Sequence, residues 1–300
     1  TPDTFDKNLQ GRTSSAYVSG SGGNINSGST SRPGGNGQPG VPPGDYNSDY
    51  NYTPGLGSLS EKYESRGNPG IIGQDSTGGW SYGKYQLASK VGAIGAFHAW
   101  LGQNYPNLHS VLQAAGGEPG AKAGTVAYKA AWQQVMTTDQ GSQAQSEYAG
   151  LRYYGPVVKQ VLDRTGLDVD QRSLTVKQVL FSSAIQHGEG SGCRRIFENA
   201  LAALNYPPSV PTTTAPTDAA LIRAVYAERR RGNGMAHFPS STAAVRQSVV
   251  NRFHNEEADA HKSLAQEIKK AQETPPTVDP TDNSAATETV KPTAPPSNAQ

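Results

Sequence analysis

The chain has 300 residues, 34% of them hydrophobic and 17% charged, with 34 glycines and 21 prolines, so it can fill one core of moderate size but not two. A formal net charge of +1 excludes a module that needs a broad basic face for nucleic acid. The single cysteine, Cys193, excludes an internal disulfide framework and a Cys-x-x-Cys zinc site, and no apolar run approaches the roughly 20 residues needed for membrane insertion.

Residues 1–55 are almost entirely Gly, Ser, Asn, Asp, Thr and Pro, with runs such as Ser19-Gly20-Ser21-Gly22-Gly23 and Pro33-Gly34-Gly35. Residues 273–300 repeat the bias with Pro and Thr. Neither segment buries enough apolar surface to offset chain entropy, so both are expected as disordered tails around one mainly α domain at 56–272. The chain opens without a basic-then-apolar leader, so work outside the cytoplasm would require a carrier or a leader already removed.

Within the domain, Leu59, Tyr63 and Arg66 share a helix face, and Ser58 with Glu61 reads as a capping box. Pro69 and Gly70 stop that helix. The 70–86 stretch alternates small and aromatic residues around Gly78-Gly79, which predicts a short hairpin. Val91, Ile94, Phe97 and Leu101 predict a second helix, and Val126, Trp132 and Val135 mark the inner face of a third at 124–136. Further helices are expected at 142–153, 156–164, 176–186, 193–204, 217–230 and 242–272. Arg229-Arg230-Arg231 reads as a solvated basic patch on one of them.

Three features around Glu64 bear on chemistry. The segment Tyr63-Glu64-Ser65-Arg66-Gly67-Asn68-Pro69 puts a carboxylate in the last turn of a helix. There the negative end of the helix dipole disfavours ionisation, which suits a general acid. Gly78-Gly79-Trp80-Ser81-Tyr82-Gly83-Lys84-Tyr85-Gln86 combines aromatic rings that stack on sugars with an amide able to bond an N-acetyl group. Asp75, eleven residues after Glu64, is a second carboxylate that would serve an inverting glycosidase at a separation of roughly 6.5–9.5 Å. Each also has a plain reading, as a solvated helix residue, a turn and a turn former. Glu189 is a further acidic candidate or a solvated loop carboxylate, and His187 reads as structural. Asp168-Val169-Asp170 lacks the further spaced ligands of a cation site, so no metal and no cofactor is assigned.

Glu64-Ser65, Asn68-Pro69 and Gly83-x-Tyr85-Gln86 together resemble the signature of the lytic transglycosylase and goose-type lysozyme superfamily. The fuller string is similar to peptidoglycan-hydrolase domains of phage virion proteins and type six secretion spike proteins. So are the segments Ser182-Ser183-Ala184-Ile185-Gln186-His187-Gly188 and Val225-Tyr226 through Arg246, Arg252 and Glu256-Glu257-Ala258. The resemblance implies a lysozyme-like fold, mainly α with at most a small hairpin, that cuts the β-1,4 bond between N-acetylmuramic acid and N-acetylglucosamine. It implies Glu64 as acid and Ser65, Tyr82, Tyr85, Gln86 and Gln186 along the sugar cleft. Asp75 would assist an attacking water, unless the sugar's own 6-hydroxyl captures the intermediate. The implied partner is peptidoglycan, met at the bacterial cell wall by a virion or secretion particle. A wall-binding or structural module without turnover is the alternative.

Overall fold

The computed structural model describes residues 53–64, 67–75, 79–90, 92–206 and 215–273. The expected tails fall outside the described residues except at their inner ends, as do Ser65, Arg66 and Val91 and the side chains of Glu64 and Asp75. The domain is mainly helical with one small antiparallel sheet. Helix α1 is Ser58–Glu64, and the strands are β1 Ile72–Asp75, β2 Gly79–Tyr82 and β3 Leu87–Ala88, in the order β1-β2-β3. The expected hairpin is therefore present, and β3 widens it, pairing Tyr82 with Leu87.

Helices α2 Ala93–Asn104, α3 Pro106–Ala114, α4 Gly117–Ala123 and α5 Val126–Met136 follow. Neither α3 nor α4 is expected from the sequence; for α4, Gly116, Gly117, Pro119 and Gly120 look like loop residues. Tertiary packing reverses that: Gly120 lies so close to Tyr128 and the Ala115 carbonyl that a Cβ would meet them at 3.3 and 3.2 Å. Helix α6 Asp139–Ala149 runs through a π turn, Gly150–Tyr154, into α7 Gly155–Thr165, so the two helices expected at 142–153 and 156–164 form one continuous rod. Helices α8 Leu174–His187, α9 Ser191–Ala203, α10 Asp218–Arg229 and α11 Ala243–Glu273 complete the domain.

Two apolar clusters form the interior. One gathers the sheet and α2–α5 around Tyr82, Phe97, Tyr128 and Trp132. In it Trp132 lies 5.2 Å from Tyr82 and 5.8 Å from Phe97, ring centre to ring centre. The buried face of α5 is Tyr128, Ala131, Trp132, Val135 and Met136. Val126, expected to face inward, is 85% exposed, because two residues before Tyr128 is the opposite side of a 3.6-residue helix. The other cluster packs α1 and α7–α11 around Phe181, Phe197, Tyr226 and Phe253. The 83–86 turn passes between them: Tyr82 belongs to the first and Tyr85 to the second.

Buried imidazoles make this interior acid-sensitive. His98 is 5% exposed and its Nε2 lies 2.8 Å from the Tyr128 hydroxyl. Burial, with His109 adding to it, lowers its pKa to about 4, and His187 and His237 are also held below the ordinary range, chiefly by burial. A histidine kept neutral in the fold takes up a proton on unfolding at pH below about 6.5, so stability drains away as pH falls from 6.5 toward 4. Urea unfolding at pH 7 and at pH 4.5 is expected to differ by about 2 kcal/mol or more. A flat profile over that range would contradict neutral buried rings.

Candidate active site

Helix α1 does not start with the expected capping box. Gln178 of α8 caps it instead: its Oε1 accepts from Ser58 Oγ at 2.7 Å and from the Leu59 N–H at 2.8 Å. That frees the Glu61 carboxylate to turn toward the 83–86 turn. Its Oε1 accepts from the Tyr85 hydroxyl at 2.7 Å and pairs with Lys84 Nζ at 2.8 Å. Lys84 is 4% exposed and also donates to Ser146 Oγ at 2.6 Å, while its backbone N–H donates to Gln145 Oε1 at 2.9 Å. Gly83 has φ 76, and a Cβ there would overlap Gln145 and come within 2.9 Å of Trp132, so the turn requires glycine.

The far end of α1 is held as firmly. Lys62 Nζ and the Tyr63 hydroxyl both donate to Asp259 Oδ2 at 2.5 Å, and Arg252 lies over the Tyr63 ring at 5.6 Å. Past Glu64, the Gly67 N–H returns to the Glu61 carbonyl at 3.0 Å. The Pro69 carbonyl accepts from Trp132 Nε1 and Gln145 Nε2, each at 3.2 Å. Glu64 is thus the last residue of a helix tethered on both sides, and Asp75 ends β1 directly opposite Gly79. Two open clefts flank Glu61, of about 480 and 470 Å³. The first is lined by Lys84, Asp139 and Ser146, the second by Ser58, Lys62 and Gly67. A larger cleft, about 890 Å³, lies beside Arg164, Glu198 and Tyr206 and shares no lining residue with these two.

The residues expected along the sugar cleft fare differently. Tyr82 is 0% exposed, and its hydroxyl donates to the Ala121 carbonyl at 2.8 Å. With no ring face open, its stacking role gives way to core packing, and burial pushes the phenol up to about 12. Gln86, at φ 51, turns its amide inward, accepting from Ser81 Oγ at 2.8 Å and donating to the Gly83 carbonyl at 3.0 Å. Tyr85 is buried, with its hydroxyl on Glu61. In this arrangement both shape the turn.

Gln186 is buried too, accepting from Arg229 at 2.9 Å. Arg229 itself corrects the reading of 229–231 as a solvated patch. It is 0% exposed, packs over the Phe253 ring at 4.1 Å, and pairs with fully buried Glu256 at 3.4 Å. Arg230 pairs with Glu257 and Arg231 with Glu228. Burial alone would raise the Glu256 carboxyl, but Arg229, Arg252 and hydrogen bonds from Ser182 and Tyr226 outweigh it and hold the group below the usual range. Glu189 is tied to Arg152, Asp170 accepts from the Tyr154 hydroxyl, and Asp168 caps the next turn. Among the described residues, no three His, Cys, Asp or Glu come together as a metal-binding group, and no helix is long and apolar enough to cross a membrane.

Sequence reasoning missed Glu61, Lys84 and Ser146. One signal was available: a lysine amid an otherwise apolar and glycine turn, three-residue helical spacing between Glu61 and Glu64, and an acceptor demanded by any buried ammonium.

Residues 56–257, which hold all of this site but Asp259, match the family model for the type VI secretion system spike protein VgrG3-like, C-terminal. The chain belongs to that family. No curated protein and no solved structure matches the chain. The VgrG3-like C-terminal family thus covers α1, the sheet, the 83–86 turn and the Arg229–Glu256 pair, and reaches to the middle of α11.

Proposed function

We propose that this VgrG3-like C-terminal domain is the cargo of a secretion particle that cuts peptidoglycan glycan strands at the cell wall. The bond is the β-1,4 link between N-acetylmuramic acid and N-acetylglucosamine. Glu64 protonates the glycosidic oxygen as the bond breaks, and the oxocarbenium-like sugar is captured by water assisted by Asp75 or by its own 6-hydroxyl. One observation carries the reading: a glutamate ends a short helix that is tethered at both sides and sits beside an open cleft and a small sheet bearing a second carboxylate. A general acid works best from a fixed position, since fixed geometry removes the entropy of aligning acid and leaving group. Open, polar-lined clefts suit an extended polymer rather than an enclosed small molecule.

The test is digestion of purified peptidoglycan with mass spectrometry of the products. New reducing ends mark hydrolysis and 1,6-anhydro ends mark transglycosylation, whereas intact strands return the chain to a structural or wall-binding module. Asp75→Asn separates the two chemical routes. With water as acceptor, the rate is expected to fall about 100-fold or more, as for loss of a general base. With the 6-hydroxyl as acceptor, the rate holds within a few-fold. Near-normal rates with ordinary reducing ends would remove Asp75 from the mechanism.

A further inference from the structure

We propose that Lys84 is a positioning residue for this cleavage: with Glu61 it locks the end of α1, which carries Glu64, against the 83–86 turn. The inference rests on the function proposed above. A buried ammonium is costly unless charge and hydrogen bonds meet it. Lys84 has all of these at once, in Glu61 at 2.8 Å, Ser146 at 2.6 Å and Ser142 at 3.3 Å. The Glu61 carboxylate is correspondingly full, taking Tyr85 at 2.7 Å and Ser146 at 3.4 Å besides the lysine. Core packing and shape would be met as well by an apolar side chain. The salt link and the Tyr85–Glu61 hydrogen bond together join α1 to the 83–86 turn and fix their relative placement.

Glu61 acts at two levels. Its carboxylate holds the turn, and its carbonyl accepts the Gly67 N–H at 3.0 Å, so it stands at the base of the chain reversal that follows Glu64. Glu61 and Glu64 lie three residues apart on the same short helix, so a tilt of the Glu61 turn also moves the backbone that carries Glu64. Asp139 lines the same cleft but carries no ion pair with Lys84, so the lysine's one carboxylate partner among the described residues is Glu61. The Glu61 side chain is 18% exposed, which supplies the failure mode. Deprived of Lys84, the carboxylate turns to water and the helix end loses its register on the turn.

The experiment is a double-mutant cycle of Lys84→Met and Glu61→Gln in the full chain, at equal folded concentration. Lys84→Met is expected to lower kcat about 100-fold, the cost of misplacing a catalytic group by around 1 Å, with KM changed less than about twofold. Glu61→Gln keeps an acceptor for Tyr85 and Ser146 but strands the more deeply buried Lys84 ammonium, so it is expected to lose at least as much. In the double variant no charge is stranded, so at least about 10-fold of the lost kcat returns. A merely structural lysine predicts a fall in folded fraction with unchanged kcat per folded molecule, and that result overturns the proposal, as does a double variant no faster than Lys84→Met.

Amide hydrogen exchange keeps the two claims apart. Gly67 N–H is expected to exchange about 10-fold faster in Lys84→Met and to be protected again in the double variant, whether or not the protein cuts peptidoglycan. If the parent protein leaves peptidoglycan intact while Gly67 behaves this way, the proposed cleavage fails and the lock stands. Unchanged exchange at Gly67 overturns the lock.

Discussion

Glu64→Gln is expected to abolish glycan cleavage while leaving the fold intact. The amide has nearly the shape of the acid, and Glu64 is the final residue of α1, so helix formation should change little. The chemistry loses its proton donor. General acid catalysis typically contributes about 10²–10⁴-fold, and a sugar alkoxide is a poor leaving group that depends on protonation. The tethers around it, Gly67 to Glu61, Tyr63 to Asp259 and Pro69 to Trp132, do not involve the Glu64 carboxylate and should survive. The measurement is muropeptide release at matched folded concentration, with circular dichroism to verify the fold. A Glu64→Gln protein that clears peptidoglycan at close to the parent rate would falsify the central claim.

The largest effect on stability is expected at Glu256. It and Arg229 are both 0% exposed, and Ser182 and Arg252 complete its surroundings. In Glu256→Ala the Arg229 guanidinium stays buried with its countercharge gone. Breaking such a pair from one side costs about 3–5 kcal/mol, against a total stability of about 5–15 kcal/mol for a domain. A lower urea midpoint at unchanged denaturant slope is the observable, and a loss below about 1 kcal/mol would show that the pair contributes little. The sign of the pH effect follows from its depressed carboxyl. The pair's contribution is present above the ordinary carboxylate range and lost as pH falls through the folded pKa, at more acid pH than the histidine effect. Glu256→Ala should therefore lack that lowest-pH limb.

How much of this was legible in advance varied by element. The first helix, with Glu64 in its last turn, and the hairpin were legible because each has a strong local cause: Pro69-Gly70 after the helix, and Gly78-Gly79 between alternating residues. Helix α4 was missed because glycines that look like breakers serve there as close-packing surfaces. The basic run 229–231 looked solvated because its partner Glu256 is 27 residues away and on another helix. Tyr82 looked like a sugar platform because an aromatic residue in a glycine-rich segment carries no local mark of which side of the sheet it faces the core from.

The sequence by itself determined a mainly helical domain bounded by low-complexity segments, the short sheet after the first helix, and Glu64 as the carboxylate at that helix's end. All of these follow from composition, periodicity and stop signals within a few residues. Only the tertiary structure decided which polar groups go inside. Burial of Lys84, Arg229 and Glu256 depends on partners brought from 23 to 74 residues away. A charge enters a low-dielectric interior only where the whole fold has already assembled its countercharge and hydrogen bonds.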